Sequence, residues 1–436
     1  MRNKLFTTGL ILSAVFLAGS LISNFSGNIG IFKILLIGGL LVLALSVRGF
    51  NKLKGFSYTI WIFTAVAASM CYPGYFVSIG NFQLKRLIVP LLQVIMFGMG
   101  SQMSFSDFTG IIRMPKGVII GVMSHYLVMP LVGFTIARIF NFPPEIAAGI
   151  ILIGCVPSGL ASNVMSFLAK ANIALAVTIG AISTILSPLL TPVLMKWLGG
   201  QFIEVNFWSM MLDILNMIIL PIVAGFIFNL FLGRSATKRS KIIQLMSYVI
   251  VILLTTVVYT ISKKTGLTGF LVQFTKSMAW FYFLPIAGAI ILTRIVKQEG
   301  KFMEKLLSLI SMVGIAAIVA VITASGRDSL LKVGGLLIIT SLLHNLTGYS
   351  LGYFLSWVTG MPEKDRRTIA FEVGMQNGGL ASGLALQMGK IATVGLAPAI
   401  FGPLMNITGS VLANWWRGKP VDEEDKRLKK NDKGKR

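Results

Sequence analysis

The chain has 436 residues, of which fifteen are aspartate or glutamate. An ionised carboxylate in hydrocarbon costs at least a few kcal/mol, so an acid inside an apolar stretch is a functional candidate by default. All but two of the fifteen fall in polar connections or the terminal tail; the exceptions are Asp213 and Glu372. Asp213 stands little more than one turn into its stretch, where a hydrated interfacial position explains it as well as a function does. Glu372 opens the run Glu372-Val373-Gly374-Met375-Gln376-Asn377-Gly378-Gly379, an acid and two amides among three glycines. Each glycine costs a helix on the order of 1 kcal/mol relative to alanine, so the run makes a poor continuous helix and a good interrupted one. A break frees backbone carbonyls and N–H groups, which membrane depth tolerates only where they face protein or a hydrated cavity. The carboxylate with freed carbonyls could hold a cation, and half-helix amino ends could face an anion.

A second stretch of this kind is Cys155-Val156-Pro157-Ser158-Gly159-Leu160-Ala161-Ser162-Asn163, where proline and glycine again oppose a continuous helix. Its Gly159-Leu160-Ala161-Ser162 returns as Gly379-Leu380-Ala381-Ser382, 220 residues on (379 − 159). Four common membrane residues can coincide by chance. Their placement in interrupted stretches of two halves is what points to a repeat-built transporter with its site where the breaks meet. A passive channel or a structural membrane protein is the competing reading. An enzyme has less support: there is no Walker A phosphate loop, and His125 and His344 form neither HExxH nor a Cys/His ligand set. No cofactor is expected. Met96, Met99 and Met103, at helical spacing, read as adaptable packing, and His344-Asn345 as a polar contact between helices.

The elements that must position these residues are long and apolar. Hydrophobic residues make up 55% of the chain and charged ones 12%, about half the roughly 25% charged fraction of soluble domains. Unbroken apolar runs exclude disorder and a membrane β-barrel. Fourteen spanning helices are expected, near 5–23, 31–47, 57–73, 88–104, 117–137, 146–169, 173–195, 208–232, 243–262, 277–293, 306–324, 333–357, 368–388 and 393–415. The first reads as a retained helix rather than a signal peptide, because it reaches spanning length. With the amino terminus cytoplasmic, most of the 39 lysines and arginines gather on the cytoplasmic side, including those of the tail 417–436. The positive-inside rule then puts both termini in the cytoplasm, with the cell (inner) membrane as the expected location. The net charge of +24 is thereby explained as topology, and nucleic acid is not an expected partner. The tail is read as solvated and disordered. Cys71 and Cys155 lie in separate apolar stretches and suggest no disulfide framework.

At its two interrupted stretches the chain resembles the bile acid:sodium symporter family. The resemblance is carried by Met96-Phe97-Gly98-Met99-Gly100, by Gly154 through Met165, by Ser187-Pro188-Leu189-Leu190-Thr191-Pro192, by His344-Asn345 and by Glu372 through Asn377. It implies an all-α polytopic membrane protein with ten helices in two inverted five-helix repeats, crossed broken helices, and core and panel domains. The core would be 117–197, broken near 155–163, and 333–416, broken near 372–379. The panel would be 57–104, 208–232 and 306–324. Residues 1–52 and 235–300 would be two added helical hairpins, giving about fourteen helices in all.

The resemblance further implies two sodium sites, one from Ser162, Asn163 and Glu372, the other from Glu372, Gln376 and the carbonyls of Val373 and Met375. Three family oxygen donors are missing: hydroxyl positions are Ala176 and Gly180, with Thr178 a conceivable substitute, and a glutamine position is His125. Ser158, Asn163, Asn377 and Gly378 would lie near the substrate. The implied function is import of an organic anion, either bile-acid-like or a small monocarboxylate, by alternating access. It is coupled to sodium with an altered stoichiometry, or alternatively to protons through Glu372 and His125. An uncoupled channel-like or signalling protein on the same scaffold is the other alternative. The expected partners are the small organic anion and the lipid bilayer, with no obligate protein partner.

Overall fold

A computed structural model describes residues 2–50, 56–104, 110–232 and 301–421. The chain opens with a hairpin of α1 (Arg2–Phe25) and α2 (Ile29–Ser46). Gly27 turns it at φ 74°, and the Asn28 side chain caps α2 by accepting from Ile31 N at 3.3 Å. The hairpin is fastened to α3 (Ser57–Cys71), where Ser57 Oγ donates to Ala44 O at 2.8 Å and accepts from Arg48 Nε at 3.0 Å. A short helix, α4 (Gly74–Val77), and a two-stranded hairpin, β1 (Ser78–Ile79) with β2 (Phe82–Gln83), lead to α5 (Ile88–Gly100). This hairpin is the one departure from the all-helical expectation among the described residues, and it turns at Gly80, φ 56°.

Then follow α6 (Pro115–Ile139), α7 (Pro144–Cys155), α8 (Ala161–Leu168), α9 (Ile173–Trp197), and α10 (Phe207–Ile214), which passes through a π-helical segment, Leu215–Ile219, into α11 (Leu220–Leu232). The last part comprises α12 (Lys301–Ser325), α13 (Arg327–Val358), α14 (Glu363–Gly374), α15 (Gly378–Gln387) and α16 (Leu396–Arg417). Every stretch expected to span, where it falls among the described residues, is helical over most of its length. The stretches 243–262 and 277–293, the hairpin expected over 235–300, and residues 422–436 of the tail lie outside the described residues. Seven described helices, counting α10–α11 once, are long and apolar enough to cross a bilayer.

The middle and last parts share one register. Asn141 (φ 47°) and Gly360 (φ 73°) make the turns before α7 and α14, and Lys170 (φ 55°) and Gly389 (φ 71°) the turns after α8 and α15. Both pairs are 219 residues apart (360 − 141 and 389 − 170). Helices α7 and α14 each have 12 residues and start behind a proline, Pro143 or Pro362. Both are buried: Ile146 through Cys155 in α7, and Arg367 through Gly374 in α14.

Polar ties join the middle and last parts of the chain at both ends of these helices. Thr368 Oγ1 donates to Asn172 O at 3.0 Å, and Asn172 Nδ2 donates to Asp365 Oδ1 at 2.8 Å. At the opposite end Lys390 pairs with Glu145, whose other oxygen accepts from Thr393 Oγ1 at 2.6 Å. That ion pair and hydroxyl hold the Glu145 carboxyl below its usual range, the lysine hydrogen bond contributing most. Arg367, one of the basic residues that the charge reading counts on the cytoplasmic side, is 1% exposed. Its guanidinium donates to Glu363 Oε1, Ala169 O, Trp416 O and Pro420 O at 2.8–3.1 Å, over the Trp416 ring. Burial is stable here because the charge is paired and each of the three guanidinium nitrogens has an acceptor.

Candidate functional site

Helix α7 stops at Cys155 because Pro157 lacks the N–H that the next turn would donate, and Val156 is extended at φ −80°, ψ 159°. Helix α14 stops at Gly374, with Met375 extended at φ −107°, ψ 118°. The two extended segments lie antiparallel, Ser158 opposite Gln376. Gly159 N donates to Met375 O at 3.0 Å, and Asn377 N donates to Pro157 O at 2.8 Å. Only glycine fits at 159, since a Cβ there would stand 2.6 Å from Gln376 O. Each break therefore satisfies backbone groups of the other, as hydrocarbon surroundings demand. Carboxyl ends of α7 and α14 and amino ends of α8 and α15 border this crossing, so backbone partial charges of both signs are available around it.

Glu372 lies one turn before the break in α14 and is fully buried. Its Oε1 accepts from Ser162 Oγ and its Oε2 from Ser158 Oγ, both at 2.5 Å. Gln376 donates through Nε2 to Val373 O at 2.7 Å, which leaves its Oε1 buried without a hydrogen-bond partner among the described residues. Asn163 Oδ1 and Ser166 Oγ are likewise buried and unpartnered among the described residues. Orphaned buried acceptors are rare in folded proteins, and carboxylate and amide oxygens are the donor types a hard cation takes. The carbonyls of Val373 and Met375 already accept from Gln376 Nε2 and Gly159 N, and each retains a second lone pair.

His125 reaches the crossing from α6. Its Nδ1 is 2.8 Å from the backbone oxygen of Glu372 and its Nε2 2.9 Å from Val156 O. The sequence puts this ring next to Glu372; the contact made is with the backbone, while the carboxylate faces the two serines. At Gly180 a Cβ would be 3.6 Å from Glu372 Oε2, so no hydroxyl reaches the acid from that position. Thr178 does not replace it, because its Oγ1 donates to Ala174 O of its own helix at 2.8 Å. His344 and Asn345 are helix-helix contacts: His344 Nε2 meets Met129 O at 2.9 Å, and Asn345 Nδ2 donates to Gly374 O at 2.8 Å.

Two cavities adjoin the breaks. One of 140 Å³ is bounded by Gly159–Ala161 and Gln376–Gly379 on one side and by α3, α5 and α12 on the other. The second, of 830 Å³, is lined by Asn163, Gly180 and Ala181 together with Arg48 and Gln102. The four sequence candidates for the substrate region are thus separated: Asn377 and Gly378 line the smaller cavity and Asn163 the larger, while the Ser158 hydroxyl is engaged by Glu372. Tyr58 and Asn406, which line the smaller cavity, and the orphaned Ser166 were not singled out from the sequence. Nothing in their local patterns sets them apart, because a tyrosine or serine in an apolar helix is ordinary until its partners are known.

Residues 89–269 match the sodium bile acid symporter family, so the match extends into the stretch read as an added hairpin. A Bacillus subtilis protein named uncharacterized sodium-dependent transporter YocS is 32% identical over 374 residues, 86% of this chain and 94% of that protein. The chain belongs to the sodium bile acid symporter family. Among plant relatives, the Arabidopsis thaliana protein named probable sodium/metabolite cotransporter BASS1, chloroplastic, is 27% identical over 361 residues, 83% of this chain and 73% of that protein. The rice protein named probable sodium/metabolite cotransporter BASS2, chloroplastic, is 27% identical over 339 residues, 77% of this chain and 65% of that protein. As a member of this symporter family the protein is an integral membrane transporter, not an enzyme.

Proposed function

We propose that this protein imports an organic monoanion together with sodium across the cell membrane by alternating access, with both termini cytoplasmic. The observation that carries the reading is the crossing: a buried acid, Glu372, with the unpartnered amide oxygens of Gln376 and Asn163, and beside it the amino end of α15 lining a cavity. Sodium is taken up between Glu372, Ser162 and Asn163, and between Glu372, Gln376 and the Val373 and Met375 carbonyls. The negative acid and carbonyl ends bind the cation, and the positive amino end of α15 receives the carboxylate. Cation binding at Glu372 offsets its charge and makes the neighbouring position receptive to an anion, which couples the two loads.

The shared 219-residue register of turns and half-helices supports two repeats. Their core would comprise 117–197 and 333–416, and it would rock against a panel of 57–104, 208–232 and 306–324. The relatives' names, a sodium-dependent transporter and sodium/metabolite cotransporters, agree with this coupling.

A second reading, in which a proton replaces one sodium ion, is favoured by His125. A neutral imidazole has one N–H, so one nitrogen lone pair would face a carbonyl oxygen. Both nitrogens lie at 2.8–2.9 Å from carbonyls, which suits the doubly protonated ring. Uptake into proteoliposomes under sodium and proton gradients imposed separately decides between them. Accumulation that follows the sodium gradient with no response to the proton gradient excludes the proton reading; accumulation driven by neither gradient excludes both.

A further inference from the structure

A cleft at the connection between α9 and α10 shares no residue with the crossing. The helices on either side of this connection are both long and apolar enough to cross a bilayer, so residues 202–206 between them lie at the rim of the membrane. Trp197 ends α9 and Trp208 stands in the first turn of α10. They are 64% and 67% exposed, as suits tryptophans of an interfacial belt, whose rings sit at headgroup level. Both line the cleft, which measures 530 Å³ and has one cation, Lys196, and one anion, Glu204, in its wall.

These two charges do not satisfy each other. Both are exposed, and neither forms an ion pair or a side-chain hydrogen bond among the described residues. A nearby cation is engaged: Arg138 donates to Gln201 and lies 5.3 and 5.4 Å from the ring centres of Phe134 and Phe202. A lysine in the last turn of α9 and an acid just before α10 each suit their helix end, but that effect requires neither a shared cleft nor two indoles. Below the cleft, Ile185, Leu189, Val193 and Trp197 recur every four residues on one face of α9 and are 45–64% exposed. An apolar track therefore runs from the charged cleft along a membrane-spanning helix.

We propose that the cleft and track hold a phospholipid whose headgroup carries a primary ammonium, a phosphatidylethanolamine. Lys196 meets the phosphate, Glu204 accepts from the ammonium, and the acyl chains follow the stripe on α9. The headgroup bears the same two opposite charges as the cleft. An anionic headgroup without an amine is attracted by Lys196 but repelled by Glu204. A quaternary ammonium has no N–H to donate to the Glu204 carboxylate, and so forgoes the charge-assisted hydrogen bond. The indoles at the cleft offer the ammonium an additional cation–π surface.

The test is native mass spectrometry of the full chain in detergent, titrated with the dioleoyl forms of phosphatidylethanolamine, phosphatidylcholine and phosphatidylglycerol. Wild type should bind the ethanolamine lipid about tenfold more tightly than either of the others. Lys196→Gln should weaken phosphatidylethanolamine binding about tenfold, and Glu204→Gln should reverse the preference in favour of phosphatidylglycerol. Both substitutions replace exposed side chains, and size-exclusion profiles matching wild type check that the variants fold. Equal binding of the three lipids by wild type overturns the proposal, as does an ethanolamine preference that survives both substitutions. Glycerophosphoethanolamine, the same headgroup without acyl chains, is the competitor. Displacement of the lipid at equal concentration would make the cleft a site for a soluble zwitterion and likewise overturn the proposal. Each of these outcomes leaves the transport reading standing, because Glu372 and both breaks lie outside the cleft.

Discussion

Substituting Gly159 by alanine tests the crossing with a single methyl group. The added Cβ would stand 2.6 Å from Gln376 O, a backbone atom that no rotamer change can move away. Restoring an ordinary contact near 3.4 Å separates the two segments by about 0.8 Å. The hydrogen bonds between them, now 3.0 and 2.8 Å, would stretch past the roughly 3.2 Å limit of good N–H···O geometry. Loss of two such bonds costs about 0.5–1.5 kcal/mol each, and overpacking adds about 1–3 kcal/mol. The total of about 2–6 kcal/mol is a large part of a typical stability of about 5–15 kcal/mol. Ser158, which donates to Glu372 Oε2, moves with the segment, so sodium-driven uptake should fall roughly a hundredfold, as misplacements near 1 Å can cause. Gly335→Ala, at a position with nothing within 4 Å of a Cβ, is the control. Uptake and unfolding temperature are measured for both in proteoliposomes and detergent. If Gly159→Ala transports at the control's rate with an unchanged unfolding temperature, the crossing does not hold the site together.

Glu372→Gln keeps the shape of the side chain but removes its charge and turns one acceptor oxygen into an NH2 donor, which a serine hydroxyl can accept; sodium dependence of uptake should disappear while the protein still folds, as checked by size-exclusion profile and sodium-titrated uptake. His125→Gln should abolish any response to an imposed proton gradient and lower the sodium concentration for half-maximal uptake; unchanged values for both would remove the histidine from coupling. Arg367→Lys keeps the charge without the planar fork and should lower the unfolding temperature nearly as far as Arg367→Ala, since the guanidinium reaches Glu363, Ala169, Trp416 and Pro420. The Glu145 carboxyl is held low by Lys390 and Thr393. A depressed folded value gives a stabilisation that is full above the ordinary value of 4.5 and is lost as pH falls through the lower folded value. The pair is about a third exposed, so Lys390→Met should cost under about 1 kcal/mol at neutral pH, and thermal unfolding of wild type and mutant should converge at acid pH.

Glu372 and both breaks were legible in the sequence for simple reasons. A lone acid in an apolar run and a proline or glycine in a helical one are local anomalies, and each reflects a cost the fold must offset nearby. Pairwise geometry was not legible. His125 was read as lying near Glu372, and its ring does so through two backbone carbonyls at the breaks, those of Glu372 and Val156, rather than through the carboxylate. The burial of Arg367 was not legible either, because its acceptors at residues 169, 416 and 420 are remote in sequence. Tyr58 gave no signal at all, since what distinguishes it is a buried hydroxyl without a partner among the described residues. The π-helical turn Leu215–Ile219 has a composition any α-helix would accept, and Asn216 O in it accepts from Gln93 Nε2 of α5 at 3.2 Å, a contact set by tertiary packing.

The reciprocal bonding of the breaks also constrains how the protein is made. Pro157 O and Gly159 N–H find their partners at Asn377 and Met375, and the latter is 216 residues downstream (375 − 159). While the ribosome is still working through that interval, the first break enters the bilayer with these groups unanswered, in surroundings that penalise them. Water, lipid headgroups or the insertion machinery must shelter it until the second break is synthesised. Maturation of the centre is therefore a late event in biogenesis, and chains truncated before Met375 should be retained as targets for membrane quality control.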